Sequence, residues 1–466
     1  PLGQVRRVHA RAGSPAGRYH EDAGWVSEGV GVLGVTTVEG WTKKSFRELG
    51  ACIRGVSYRP EDLRPFPGKD AVTILRANNI RDGQLNYDSL QFVVESAVGI
   101  HQRMSEWDIA ICMSNGNPRL VGKSGQFTDP GDRGSCAVGA FCALFRPHPR
   151  YHPGFVRYLF VSDQYQRQLD GILAGSAINN LRGSDVAALI ACVPASRREQ
   201  ATIAEVLSAV DLAIEQTEAL IAKQQRIKTG LIEDLLTRGI DEQGNLRSEE
   251  NHRFKDSPLG RIPVEWQING LFDLVSIAEG QKDPREEPYC DWPLVAPDCV
   301  ESGTGRLLRL ATAREQQAIS GKYEFAPGNV LYSKIRPHLR KAVLVDFAGL
   351  CSADMYPMRP TSKSVSGFIF LTILSKRFSR YAESVSVRSG FPKINRSELG
   401  GFLAAAPLVP EQERISAISD ELAIASDIEM RNLSKLRSLK TALMQDLLTG
   451  RVRVTPLLND TEVMGE

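Results

Sequence analysis

EQATIAEVLSAVDLAIEQTEALIAKQQRIKTGLIEDLLT, residues 199–237, and EQERISAISDELAIASDIEMRNLSKLRSLKTALMQDLLT, residues 411–449, are one helix-forming stretch written twice, at a constant offset and without a gap. Glu199 and Gln200 match Glu411 and Gln412, Ile203 matches Ile415, Ala213 matches Ala425, and Lys223 matches Lys435. Lys228 and Thr229 match Lys440 and Thr441, Leu231 matches Leu443, and both copies end in Asp-Leu-Leu-Thr. About a dozen identities over about 39 positions is far above chance, so the chain is two copies of one unit.

Outward from the helices the repeat fades. Trp41, Leu49 and Gly55 have the spacing of Trp266, Leu274 and Gly280, and Ser184, Asp185, Val186 and Pro194 have the spacing of Ser397, Glu398, Leu399 and Pro407. The interiors differ, as a comparison of residues 74–79 with 332–336 shows. Each unit is therefore a variable globular block followed by a constant helix.

The apolar residues of each helix recur at spacings of three and four, a single stripe suited to one other long helix. Neither helix buries that stripe alone, so the two are expected to pair, antiparallel, with the globular blocks at opposite ends of a rod. Thr217, Gln224, Glu429 and Asn432 interrupt the stripe near its middle. They are read either as partly exposed or as setting register or facing a third protein.

The blocks have mixed texture. Short β-like runs (72–75, 109–113 and 140–145 in the first; 330–333 and 342–345 in the second) alternate with Gly, Asn and Pro turns. One helix is expected around 155–169 and one near 366–385, and the apolar run 186–193 reads as a buried strand. The expected fold class is α/β (α+β), two globular domains separated by an antiparallel coiled coil of long helices, a pseudo-two-fold dumbbell. Its expected boundaries are a flexible extension 1–38, a first domain 39–195, a helix 196–240, a linker 241–265, a second domain 266–407, a helix 408–449 and a tail 450–466.

Composition excludes several classes. No apolar run reaches the roughly 18 residues of a membrane span, and the Gly- and Arg-rich start is unlike a signal peptide, so a cytoplasmic location is expected. The eight cysteines include no C-x-x-C pair, which suits reduced, buried thiols. The net charge of +2 is small, but the basic surplus lies in the blocks, not the helices.

Motif matches do not survive their context. Residues 29–34 fit G-x-G-x-x-G but lack a strand before and a helix after. Residues 116–124, GNPRLVGKS, have the first glycine one position too far from Gly122, Lys123 and Ser124 for a phosphate-binding loop. His148 and His152 are separated by prolines that exclude a shared helical face, so no metal site is expected. With no hydrolase, methyltransferase or nuclease signature, the chain is expected to be non-catalytic and without a cofactor.

What remains are polar clusters in loops. The first block has Arg76, Asn78, Asn79 and Arg81, then Asn115, Arg119 and Lys123, then Asn179 and Arg182. The second has Lys334, Arg336, Arg340 and Lys341, then Arg388, Lys393, Asn395 and Arg396. Arginine and lysine bond guanine edges, asparagine bonds adenine, and all hold phosphates, so these residues are the DNA-contact candidates.

The layout resembles the specificity subunit of type I DNA restriction-modification enzymes. The resemblance runs from Trp41 to Val454. It is carried by ILRANNI at 74–80, by Trp107, Asp108, Ile109 and Ala110 leading to Val121, Gly122 and Lys123, by PGNVL at 327–331 with KIRP at 334–337, by Pro410-Glu411-Gln412, and by the helix ends LLTRGI and LLTGRV. Arg197 and Arg198 depart from the Pro-Glu-Gln pattern, and the extension before Trp41 lies outside it. The resemblance implies two target recognition domains, each reading one half of a split double-stranded DNA sequence. It further implies a helix pair that spaces them and docks two methyltransferase subunits, which bind S-adenosylmethionine and modify adenine, with restriction subunits joining the complex. The other reading is a coiled-coil adaptor presenting two protein-binding domains.

Overall fold

The computed structural model describes residues 38–454 other than 82, 129–133, 175–178 and 387–391. Arg388, the glycine motif at 29–34 and residues 455–466 lie outside the described residues. The described residues form two compact units, 38–200 with 449–454, and 201–448.

In the first unit, strands Gly50–Arg54, Cys142–Pro147, Ile109–Cys112 and Ser124–Gln126 lie side by side in a six-stranded sheet. A four-stranded sheet runs Cys136–Val138, Ala71–Leu75, Gln91–Val94, Leu63–Arg64. Phe46, Phe145, Phe160 and Tyr165 form an aromatic cluster at centroid separations of 4.8 to 6.1 Å. In the second unit the four-stranded sheet is ordered Val275–Ile277, Met355–Pro360, Val330–Ser333, Ala342–Leu344. Its neighbour places Gly349–Cys351 beside Pro293–Val295.

Several local expectations change. The helix expected around 155–169 is two helices, Pro153–Leu159 and Asp163–Ala174, because the Ser162 hydroxyl bonds Leu159 O at 2.8 Å and caps Tyr165 N at 3.2 Å. The helix expected near 366–385 breaks the same way into Ser366–Leu374 and Lys376–Ser386, with Ser375 bonding Thr372 O and capping Phe378 N. The run 186–193 is strand only from Ile190. A short helix Gly183–Ala188 precedes it, begun where Asp185 accepts from Arg182 N.

The long helices are Arg197–Thr237 and Val409–Leu447. They pack together and run antiparallel: Lys440 Nζ lies 2.6 Å from Asp211, Arg437 bonds Glu218 at 2.6 Å, and Lys228 faces Asp427 and Asp420. Burial pulls the ammonium of Lys228, the repeat equivalent of Lys440, below its ordinary value while the two aspartates oppose that shift. The apolar stripe is not sealed as expected. No described residue from 208 to 230 is buried, and within the stripe Leu220, Ile227 and Leu439 are 43 to 55% exposed. Two helices touch along one seam only, and the stripe is wider than that seam.

The most repeated residues sit at the helix junctions. In the second unit Glu411, at the start of its helix, receives Arg247 at 2.5 and 3.0 Å, Ile240 N at 3.0 Å and Trp266 Nε1 at 3.4 Å. Gly239 passes this point at φ +64, where a β-carbon would overlap Glu411 and Trp266. In the first unit Glu199 receives Arg453 at 2.6 and 3.0 Å, with Gly450 against the ring of Trp41. That is why the described end of the expected tail belongs to the first unit. Gln200 and Gln412 act alike beside them: each side-chain amide donates to the carbonyl of the preceding proline, Pro194 or Pro407, at 2.9 Å. Each also accepts a backbone N–H from its block, His152 at 2.8 Å or Val365 at 3.1 Å.

All eight cysteines are free thiols. Burial pushes the thiols of Cys142 and Cys351 up to about 12 and that of Cys52 to about 11. At pH 8 a pKa near 12 leaves roughly one thiolate in ten thousand. A disulfide reagent at pH 8 is therefore expected to leave these three unmodified until guanidinium unfolds the chain, as peptide mapping would show; rapid labelling in the native state would contradict their placement.

Candidate nucleic-acid interface

The sheet register makes the two blocks comparable residue by residue. In the first, Leu75 faces Val138 and Cys142 faces Cys112; in the second, Val295 faces Cys351 and Met355 faces Ser333. Connecting hydrogen bonds repeat as well. Gly139 N donates to Leu75 O at 2.9 Å, as Ser352 N does to Val295 O at 2.8 Å. Met113 N donates to Phe141 O at 2.8 Å, as Lys334 N does to Asp354 O at 2.9 Å. Leu181 N donates to Met113 O at 2.7 Å, as Ile394 N does to Lys334 O at 2.9 Å. Residues 74–79 thus correspond to 294–299, not to 332–336.

Each block opens a cleft at this point. In the first block it measures about 710 Å³ and brings together Arg76 and Asn78, Asn115, and Phe141 from three separate segments, with Tyr58 and Gln91. In the second it measures about 280 Å³ and gathers Asp298, Ser333, Arg336, Lys341 and Asp354. The positions correspond: Asn78 to Asp298, Asn115 to Arg336, Phe141 to Asp354. One backbone cradle carries two different sets of side chains.

The remaining candidates divide by burial and bonding. Asn79 is fully buried, its amide accepting from Arg76 N and donating to Asp88 O, so it closes a turn. Asn78 beside it is exposed. Arg76 donates one Nη to Ser89 O at 2.8 Å, while its buried Nε has no partner. Arg81, Arg119 and Arg182 are exposed and Lys123 and Asn179 half-buried, all away from the cleft lining.

In the second block several basic side chains hold structure. Lys341 ties Pro297 O at 2.6 Å across the cleft, Arg340 bonds Leu374 O, and Arg396 bonds Glu279 at 3.0 Å and Ala278 O at 2.9 Å. Asn395 caps the helix Arg396–Gly400 through Glu398 N at 2.8 Å. Lys334 lies 5.4 Å from the Tyr356 ring. Its ammonium is held below the ordinary lysine value, first by burial and then by Lys393 and Arg396. Arg336 and Lys393 are exposed, and Arg336 adopts a left-handed backbone, φ 49, ahead of Pro337. A non-glycine residue held there carries strain of a kind that clusters at functional sites.

Phe141 was missed in the sequence because residues 140–145 read as one strand. The strand begins at Cys142, which puts Ala140 and Phe141 in the preceding turn. The signal was a bulky aromatic directly after Gly-Ala at a strand start. Among the described residues no group of three or more His, Cys, Asp or Glu side chains is placed to hold a metal, and no helix is long and apolar enough to cross a membrane.

No family model matches the chain. It is 32% identical over 430 residues to the type I restriction enzyme EcoKI specificity subunit of Escherichia coli (strain K12), across 89% of each chain. It is 30% identical over 293 residues to the EcoDI specificity subunit of Escherichia coli, across 60% of this chain and 65% of that one. Among solved structures it is similar to the type I restriction-modification S subunit from M. genitalium, with TM-score 0.50 and 15% identity over 89% of this chain and 98% of that one. A chain from a type I R-M system gives TM-score 0.54 and 16% identity, over 90% of this chain and 100% of the other. At such identities these two likenesses show the fold.

Proposed function

The chain belongs to the family of type I restriction enzyme specificity subunits, and from that premise we propose that it reads a double-stranded DNA target in two halves, one per globular block. The observation that carries the reading is the duplicated cleft. Two readers of one geometry with different side chains recognise two different half-sites, and the variable interiors are the consequence. Direct readout favours the cleft side chains: exposed Arg336 suits a guanine edge, and exposed Asn78 with half-buried Asn115 suits adenine. The exposed lysines and arginines around them suit phosphates, which position without reading.

The partly uncovered helix pair is the docking surface for the other subunits. Leu212 and Ile424 are equivalent in the repeat, as are Ile227 and Leu439, and all four are exposed. Two equivalent apolar patches suit two copies of one partner, the methyltransferase subunit, with restriction subunits joining that complex. Chemistry then resides in the partners, the chain itself being non-catalytic and carrying no cofactor. Eight free thiols suit a cytoplasmic complex.

Mapping methylated adenines in DNA from cells carrying the chain with its methyltransferase subunits tests the reading; a bipartite motif is expected, and unpatterned methylation would overturn it. Binding of the complex to that duplex falls steeply with salt. Arg336→Ala is expected to cost about 1 to 3 kcal/mol of affinity and to relax one position of a single half-site. Unchanged affinity and motif would remove Arg336 from the readers.

A further inference from the structure

We propose that Phe141 is a specificity-determining residue of the first block, its ring packing on the 5-methyl group of a thymine in the major groove. The inference rests on the reading of the blocks as DNA readers. Phe141 is 71% exposed, an unusual state for a phenylalanine, yet its backbone is held firmly: its carbonyl accepts both Met113 N at 2.8 Å and Ser114 N at 3.2 Å. An exposed apolar ring at the mouth of a cleft whose polar side chains include Arg76, Asn78 and Asn115 contributes little to folding. It offers the one kind of contact those polar side chains lack. On the major-groove edge the apolar group is the thymine methyl, and apolar side chains are its partners.

The second block supplies an independent comparison. Its equivalent turn presents Asp354, held through the same carbonyl by Lys334 N at 2.9 Å. A carboxylate there accepts from the cytosine amino group, so one turn distinguishes the pyrimidines by exchanging an apolar side chain for an acceptor.

The test uses the full chain with its methyltransferase subunits and the duplex found by methylation mapping. Each thymine of the first block's half-site is replaced singly by deoxyuridine, which removes only the methyl. The wild-type complex is expected to lose about three- to tenfold in affinity at one thymine, the worth of one buried methyl. Phe141→Ala abolishes that sensitivity, Phe141→Leu keeps it, and deoxyuridine in the other half-site is indifferent to both. Because the ring is exposed, neither variant lowers the unfolding temperature. Absence of a methyl-sensitive thymine in that half-site, or sensitivity that persists in Phe141→Ala, overturns the assignment. Failure of the wild-type complex to prefer the mapped duplex over a scrambled one would instead overturn DNA reading itself.

Discussion

Glu411→Ala destabilises the second unit by about 3 to 5 kcal/mol, because removing one partner of a buried ion pair leaves the other charged and unpaired. The side chains of Glu411 and Arg247 are only 10 and 11% exposed, and the same carboxylate also satisfies Ile240 N and Trp266 Nε1. One substitution therefore orphans a guanidinium, a backbone donor and an indole together. Denaturant unfolding followed by tryptophan fluorescence reads the loss, and the double variant with Arg247→Leu recovers much of it. The first junction is the internal control. Glu199 is as buried, but the Arg453 side chain is 32% exposed and turns to water when its partner goes. Glu199→Ala is expected to cost clearly less. Equal losses at the two junctions would refute this account, as would a loss below about 1 kcal/mol for Glu411→Ala.

Adding one helical turn to both long helices lengthens the unread gap of the target by one to two base pairs and leaves both half-sites unchanged. Four residues after Ala222 and four after Asn432 add roughly 6 Å of helix. The insertions fall between the ion pairs at Asp211 and Glu218 on one side and the Lys228 contacts on the other, so each set keeps its register. Methylated-adenine mapping gives the new gap. An unchanged gap would sink the idea that the helices set the spacing, and altered half-site bases would mean the insertion had disturbed the readers.

The two experiments address the two kinds of repetition in the chain. The helix was legible because its signal is local: apolar residues at spacings of three and four, continued for dozens of positions, have few other readings. The acidic and amide residues that open each helix, and the Leu-Leu-Thr that closes it, were visible as recurring letters but not as a contact. Glu411 meets Arg247 across 164 positions and Glu199 meets Arg453 across 254. Neither arginine lies in the matched stretches, and the glycines beside them, Gly239 and Gly450, are displaced by one place between the copies.

The cleft was half legible. Arg76, Asn78, Asn115 and Arg336 were singled out as polar residues in loops, and the structure brings the first three together. Asn78 and Asn79 are chemically identical neighbours, yet one is exposed and the other is spent closing a turn. Lys341 and Arg340, chosen for the chemistry of DNA contacts, also tie the second block together, which no local stretch of sequence shows. Asp354 passed unnoticed, since an acidic residue is not sought in a DNA reader until its place in the cleft is known.

By itself the sequence determined that this protein is a unit written twice, with a long amphipathic helix closing each copy, because helical periodicity and duplication are both recorded along the chain. Only the tertiary structure decided which side chains form each cleft, that the two clefts share one backbone geometry, and that the helix pair leaves apolar surface uncovered. Those outcomes depend on strand register between segments tens of residues apart and on how much of a stripe one neighbouring helix covers, and neither is a property of any local stretch.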